Sequence, residues 1–311
     1  MAQNLFANIT QRGTRSQFLN AMSESPNVWE NYVIKVDSDA PDETHVWLGM
    51  TPVPREFVSG RSFQGLRDFT YNVANKEYEL SFVIDQNSVE DDKHGLINAR
   101  ISEAATVWAT YKDALFATLL QDASGTNQGN AYDGNTFYNA TRTIGDSGTI
   151  DNIDASTSST ATNPTLAEAK VAFKVARMLF WGYKDDQGRA GYAQKAMSEM
   201  RIVCASDYEA ILTEMNEAVI TAGDSNPFYG GKLTSIDILP YLPANHVESF
   251  WALTGDPNRK PFLYQERTPV QVEVFSDSAS IADNHGLKVL VRQRFRMLYG
   301  EPRYSIQQTW T

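Results

Sequence analysis

The sequence predicts an α+β fold, and three observations carry that prediction. An early run alternates apolar and polar residues in steps of two; one long apolar stripe at helical spacing follows directly behind it; a second alternating run lies near the C-terminus. Strand and helix patterns come in blocks and do not succeed one another as regular βαβ units, so the fold is α+β and not a parallel α/β sheet. At 311 residues and 34.8 kDa the chain is one large domain or two modest ones, with room for a sizeable core.

Residues 1–46 read as a weakly structured arm. Leu5, Phe6, Ile9, Phe18, Leu19 and Met22 are scattered, and Ser25-Pro26-Asn27 and Ala40-Pro41-Asp42 break the pattern. A helix over residues 12–22 and a strand over 32–36 are expected inside the arm, which has too few apolar side chains to fold alone. From 52 to 85 the pattern is β. Phe69, Tyr71 and Val73 share one face of an extended run, and Tyr78, Leu80, Phe82 and Ile84 repeat the alternation beyond Ala74-Asn75. Two such runs around a short Asn-containing turn predict a hairpin, and a lone two-stranded ribbon needs a neighbour to pack on.

Next comes the acidic turn Glu90-Asp91-Asp92, where a helix N-terminus favours negative charge. Ile97, Ile101, Ala104, Trp108, Tyr111, Leu115 and Leu119 then recur at three- and four-residue steps, which predicts a helix over 96–120. A polar stretch, 122–163, reads as a long loop around short strands. Thr165-Leu166-Ala167-Glu168 matches a capping box, with Leu166, Ala169, Phe173, Ala176 and Phe180 as the buried face of its helix. A buried strand is expected over 200–205, and a capped helix opening at Ser206-Asp207-Tyr208-Glu209 and running to Ile220. Short strands follow near 236–239, 249–253, 261–265 and 270–275. In the last run, 287–299, Leu287, Val289, Val291, Phe295 and Met297 take one face and Lys288, Arg292, Arg294 and Arg296 the other.

Little in the chain builds catalytic chemistry. The single cysteine, Cys204, excludes an internal disulfide framework and sits in the apolar run 201–205, so it reads as a buried structural thiol. No secretory pattern opens the sequence, and no apolar run approaches the ~18 residues a bilayer crossing needs. A net charge of −11 argues against wrapping nucleic acid as the main task. Gly145-Asp146-Ser147-Gly148 resembles a serine-protease nucleophile motif, but none of His45, His94, His246 and His285 lies in the matching context; a polar turn is the simpler reading. Asp91, Asp92 and His94 read as a solvated helix cap before they read as metal ligands, and Asp37 and Asp39 lie in a Pro-bounded polar stretch. Gly230-Gly231-Lys232 lacks the spacing and hydroxyl of a phosphate loop. The sequence therefore nominates no catalytic, cofactor-binding or metal residue, and the expectation is a protein that is not an enzyme. The Arg292/Arg294/Arg296 face is left to pair with acidic faces of neighbouring subunits or to meet DNA phosphates.

Several strings occur in a familiar order: Trp47-Leu48-Gly49, Tyr71-Asn72-Val73-Ala74-Asn75-Lys76, Glu90-Asp91-Asp92, Tyr132-Asp133-Gly134-Asn135, Lys260-Pro261-Phe262, Gln265-Glu266-Arg267 and Leu298-Tyr299-Gly300. In that set the chain resembles the Mu-like bacteriophage major head subunit family, from about residue 47 to 300. The resemblance implies the HK97-like phage capsid fold. Residues 1–51 would be its N-terminal arm, 52–85 its extended hairpin loop, 86–164 a peripheral domain with a spine helix at 96–120, 165–280 an axial domain, and 281–311 a C-terminal strand returning to the peripheral–axial junction. It further implies a major capsid protein of the virion: a homo-oligomer of hexamers and pentamers forming an icosahedral shell around double-stranded DNA, without sequence-specific contact and without a membrane. Portal, scaffolding and decoration proteins are the implied partners, and the host bacterial cytoplasm the implied place of assembly. Two alternatives stay open at this point: a tail or tube subunit, and a serine hydrolase using Ser147.

Overall fold

The computed structural model describes residues 2–48, 68–85, 96–122, 129–156, 164–190, 200–217, 220–221, 224–225, 235–242, 248–254, 260–275 and 286–310. The helices are α1 (Ala2–Glu24), α2 (Leu96–Gln121), α3 (Leu166–Gly182) and α4 (Glu209–Glu217). The strands of the first half are β1 (Val33–Asp37), β2 (Asp42–Leu48), β3 (Asp68–Ala74), β4 (Lys76–Asp85), β5 (Arg142–Thr143), β6 (Thr149–Ile150) and β7 (Ile153–Ser156). Those of the second half are β8 (Met200–Cys204), β9 (Ile220–Thr221), β10 (Asp224–Ser225), β11 (Ser235–Ile238), β12 (Glu248–Thr254), β13 (Phe262–Phe275), β14 (Gly286–Tyr299) and β15 (Ser305–Trp310).

Alternation along β14 sets up a four-stranded sheet of order β1-β13-β14-β4, with β1 parallel to β13 and the other pairs antiparallel. Val289, Val291, Phe295 and Met297 are buried, as the two-residue period predicts. The helical layer covers that face. Phe18 of α1 and Ile101, Ala105 and Trp108 of α2 pack with Val272, Val289 and Val291. Burying one side chain of the size of Phe18 is worth ~1.5–3 kcal/mol over leaving it exposed, which binds α1 to α2. Helix α1 starts well before the expected residue 12. The stripe on α2 runs through Ile101, Ala105, Trp108, Phe116 and Leu119–Leu120, whereas Tyr111 stays exposed.

The second sheet has the order β11-β8-β12-β15-β7. Its members β11 and β8, and β15 and β7, pair in parallel, and β12 pairs antiparallel to both β8 and β15. Helix α3 packs over β7 and β15, and α4 over β11. The capping box forms as read: Glu168 N donates to Thr165 Oγ1 (3.4 Å) and Thr165 N to Glu168 Oε2 (2.7 Å). Ala169, Ala172, Phe173, Ala176 and Phe180 are its buried face. Cys204 is fully buried and burial pushes its thiol up to about 12, the structural role expected of it.

Three further expectations are corrected. The runs over 66–73 and 78–84 do not form a hairpin with each other. Only Asn75 separates β3 from β4, and β3 pairs antiparallel with β2 while β4 pairs with β14. Alternation tells which residues share a face but not which strand lies alongside. Strands β2 and β3 are thus the arms of the ribbon, and the intervening 49–67 lie outside the described residues. The runs 261–265 and 270–275 are one strand, β13, with register shifts between Glu266 and Thr268 and between Thr268 and Gln271. Finally, the segment at Ser206 opens as a 3-10 turn, Ser206–Tyr208, without a side-chain cap, and α4 ends at Glu217. The acidic turn 90–92, His94, Gly230-Gly231-Lys232, His246 and His285 lie outside the described residues.

Candidate assembly surfaces

The ribbon is held to the body by a polar clamp at its base. Asn75 Nδ2 donates to Ser38 Oγ (2.9 Å), Ala40 O (3.0 Å) and Pro41 O (3.2 Å), and its Oδ1 accepts from Gln265 Nε2 (2.8 Å). Gln265, fully buried, accepts in turn from His45 Nε2 (2.6 Å). Arg267 Nη1 donates to Ser38 O (3.1 Å). Glu43 Oε1 takes Asp39 N (2.7 Å), Ala40 N (2.9 Å) and Ser38 Oγ (3.0 Å), and those backbone donors hold its carboxyl below the usual range. Beneath the clamp Val73 packs on Leu263 and Leu298, on the sheet face opposite α2. Each buried amide here has a partner, so the direction in which the ribbon leaves the sheet is set.

Next to that contact the outer face is charged. Cross-strand rows place Glu79 beside Arg292 and Glu77 beside Arg294, and Arg292 Nε meets Glu77 Oε1 at 2.5 Å. The arginine face is where the alternation puts it, but Arg292 has a partner within its own chain, Glu77, besides the neighbouring subunits or DNA phosphates expected for it. Both groups of that pair are about half exposed, so its contribution to stability is at most about 1 kcal/mol. Toward the far end of the sheet the row Val83–Lys288–Phe275 leaves Val83 and Phe275 exposed.

The two sheets meet at a joint. Arg142, buried, pairs with Asp133 (Nε to Oδ2, 2.7 Å) and donates to Phe137 O (2.9 Å). Tyr132 Oη donates to Glu301 Oε2 (3.1 Å), and Arg303 Nε to Glu301 Oε1 (2.6 Å). Tyr299 Oη donates to Leu119 O (2.9 Å) at the end of the spine, and its ring stacks on Phe137 at 4.6 Å. Gly300 has no room for a side chain: a Cβ there would sit 2.7 Å from Pro261 O. Five of the strings that carried the resemblance, around Tyr71, Tyr132, Lys260, Gln265 and Leu298, therefore supply this joint and the clamp. Tyr32 ties the arm to the second sheet by donating to Asp237.

Along the spine, Asp113 Oδ1 accepts from Val28 N (3.0 Å) and Trp29 N (2.9 Å), which seats the arm's turn. Beside it the Lys112 ammonium lies 5.3 Å from the Trp29 and Tyr264 rings and 5.5 Å from Phe295. Burial brings it down to about 8. Neither the clamp nor this lysine was found from sequence, because each depends on partners remote along the chain. Ser147 is buried, with Oγ accepting from Ile144 N (3.0 Å) and donating to Gly148 O (2.8 Å). Gly145 and Gly148 take positive φ (60° and 71°), so this motif is a closed turn whose hydroxyl bonds its own backbone. Among the described residues no helix is long and apolar enough to cross a membrane.

The surfaces just described lie between a spine helix, a tethered ribbon and two sheets. The family model of the Mu-like prophage major head subunit gpT matches residues 7–175, more than half of the chain. The chain belongs to that family. Two curated members align with it: the major capsid protein of Escherichia phage Mu, 30% identical over 124 residues, and the Mu-like prophage FluMu major head subunit of Haemophilus influenzae, 23% identical over 133 residues. The chain spans 40% and 42% of the length of these two relatives. Among solved structures, the procapsid of bacteriophage JBD30 is similar with a TM-score of 0.57 at 16% identity, over 98% of this chain and 75% of that one. The virus-like particle of Pyrococcus furiosus gives a TM-score of 0.56 at 10% identity, over 95% and 97%. At such identities the likeness speaks for the fold, and the fold is the HK97-like one of capsid subunits.

Proposed function

We propose that this chain is a major capsid protein whose copies assemble into the hexamers and pentamers of an icosahedral head shell enclosing phage double-stranded DNA. The observation that supports it most is the likeness to capsid subunits across nearly the whole chain, joined to membership of the major head subunit family. On this reading β2 and β3 are the extended loop reaching to a neighbour, and α2 is the spine. The sheet carrying β4, β13 and β14 would be the peripheral domain, so that 262–275 goes with it and not with the 165–280 axial span expected from the resemblance, and the sheet carrying β8, β12 and β15 would be the axial one. Many weak polar contacts, multiplied by valence, close a shell while still allowing misplaced subunits to leave. The charge of −11 keeps free subunits apart in solution and limits adhesion to the like-charged genome, so DNA is enclosed without sequence-specific binding. Portal, scaffolding and decoration proteins would join copies of this chain in the host cytoplasm, and the chain itself carries no catalytic role.

Sedimentation of the purified chain tests the reading: concentration should drive it into large particles of narrow size. Monomers at every concentration, with or without co-expressed head proteins, would refute it. Labelling of Ser147 by a fluorophosphonate, lost in Ser147→Ala, would favour the hydrolase instead.

A further inference from the structure

The outer faces of the two helices on the second sheet are complementary to each other. On α3 the residues opposite the buried face are Val171, Lys174, Met178 and Trp181. Val171, Met178 and Trp181 are 57%, 61% and 48% exposed, an apolar stripe in which Lys174 is the charged member. From Ala169 to Gly182 the helix carries Lys170, Lys174 and Arg177 and no acid. Large apolar side chains aligned on one solvent face mark an interaction site more often than scattered single ones do.

The exposed face of the other pair member reads the opposite way. Asp207, just before α4, and Ala210, Glu214 and Glu217 within it are all exposed, while Leu212 and Met215 point inward. Between Asp207 and Glu217 there are four acids, Asp207, Glu209, Glu214 and Glu217, and no base. The two stripes share one spacing, 171-174-178-181 against 207-210-214-217, so they can lie along one another turn by turn. The exposed ring of Tyr241 lies just past β11, the strand on which α4 packs.

Their complementarity points to the partner. Helix α3 packs toward the β7–β15 end of the sheet and α4 toward the β11 end, and the two helices lie side by side, in contact with each other. Two different patches of one subunit that complement each other, one apolar and basic and one acidic, allow a head-to-tail contact between copies, which closes into a ring when the rotation allows. We propose that the α3 stripe docks on the acidic α4 face of the next copy of this chain, with Trp181 and Met178 packing on Ala210 and the stems of Glu214 and Glu217, and Lys174 meeting their carboxylates. This rests on the assembly reading above and adds the contact that would set subunits side by side within a ring.

Sedimentation of four purified chains separates the two ideas: the parent, Met178→Ser/Trp181→Ser, Lys174→Glu, and Lys174→Glu/Glu214→Lys, each with circular dichroism and a melting curve as a control on folding. The stripe is exposed, so all four should melt alike. Removing Met178 and Trp181 should raise the concentration needed for association at least roughly tenfold. Lys174→Glu should raise it roughly three- to tenfold, and Glu214→Lys on top should bring it back toward the parent value, because reversed charges across one contact restore attraction. Association of the folded Met178→Ser/Trp181→Ser chain at the parent concentration would overturn this contact and leave the assembly reading standing. Failure of Glu214→Lys to recover any association would overturn α4 as the partner face. A parent chain that never associates would overturn the assembly reading and this contact with it.

Discussion

At the scale of residues, single side chains hold the geometry that assembly would use. Asn75 satisfies three acceptors at the base of the ribbon. Asn75→Ala should cost about 1–3 kcal/mol, read as a lowered midpoint in urea at unchanged slope. Removing 73–76 as a block would take Val73 and this clamp together, so it should damage the fold itself and not merely shorten a protrusion. Lys112 adds a pH signature. Its folded pKa, about 8, lies below the unfolded value of 10.5, so the unfolded chain holds the proton more tightly. The cost of burying the charge is full below pH 8 and fades as pH rises to 10.5. The difference in stability between Lys112→Met and the parent should therefore shrink over that window, by on the order of 2 kcal/mol. A difference that stays flat from pH 7 to 10.5 would contradict the placement of Lys112 among the three rings. Gly300→Ala must push a Cβ into the Pro261 carbonyl, and a loss of about 1–3 kcal/mol in thermal or urea unfolding is expected.

At the scale of elements, the joint between the sheets is the sensitive place. Arg142→Ala strips the partner from Asp133 inside the protein, and breaking a buried pair in this way should cost about 3–5 kcal/mol, measured by denaturant unfolding. By contrast Arg292→Gln breaks a half-exposed pair with Glu77 and should change stability by less than about 1 kcal/mol. Those elements whose signal is local were legible in the sequence. The 3.6-residue stripe gave the spine to within a residue or so, Thr165 and Glu168 announced α3, and the alternation from Val289 to Met297 set the faces of β14. The ribbon was misassigned because alternation carries no information about pairing, and Asn75, which looks like a turn residue, in fact passes the chain from one strand to the next. Its role depends on Ser38, 37 residues before it, and on Gln265, 190 residues after it, a relation no window along the chain contains. The arm helix was underestimated for a similar reason. Phe18 has weak local periodicity around it and is fixed by Ile101, Trp108 and Val291 from other elements.

At the scale of the whole molecule, two sheets share one core through Phe137, Phe262 and Tyr299, while α1 lies on α2 and, among the described residues, the ribbon is fastened through its base. A monomer built this way spends buried polar groups on fixing the angle between its parts. That rigidity is what a closed shell of many copies requires, because small errors in angle accumulate around a ring. Five of the ordered strings of the sequence, those around Tyr71, Tyr132, Lys260, Gln265 and Leu298, fall at the joint and the clamp. The most direct test is electron microscopy of the purified, concentrated chain with single-particle reconstruction. Closed particles with five- and sixfold rings, into which this fold fits with the ribbon crossing to a neighbour, are the predicted result. Cylinders, or dispersed monomers under every condition of concentration and co-expression, would contradict the account.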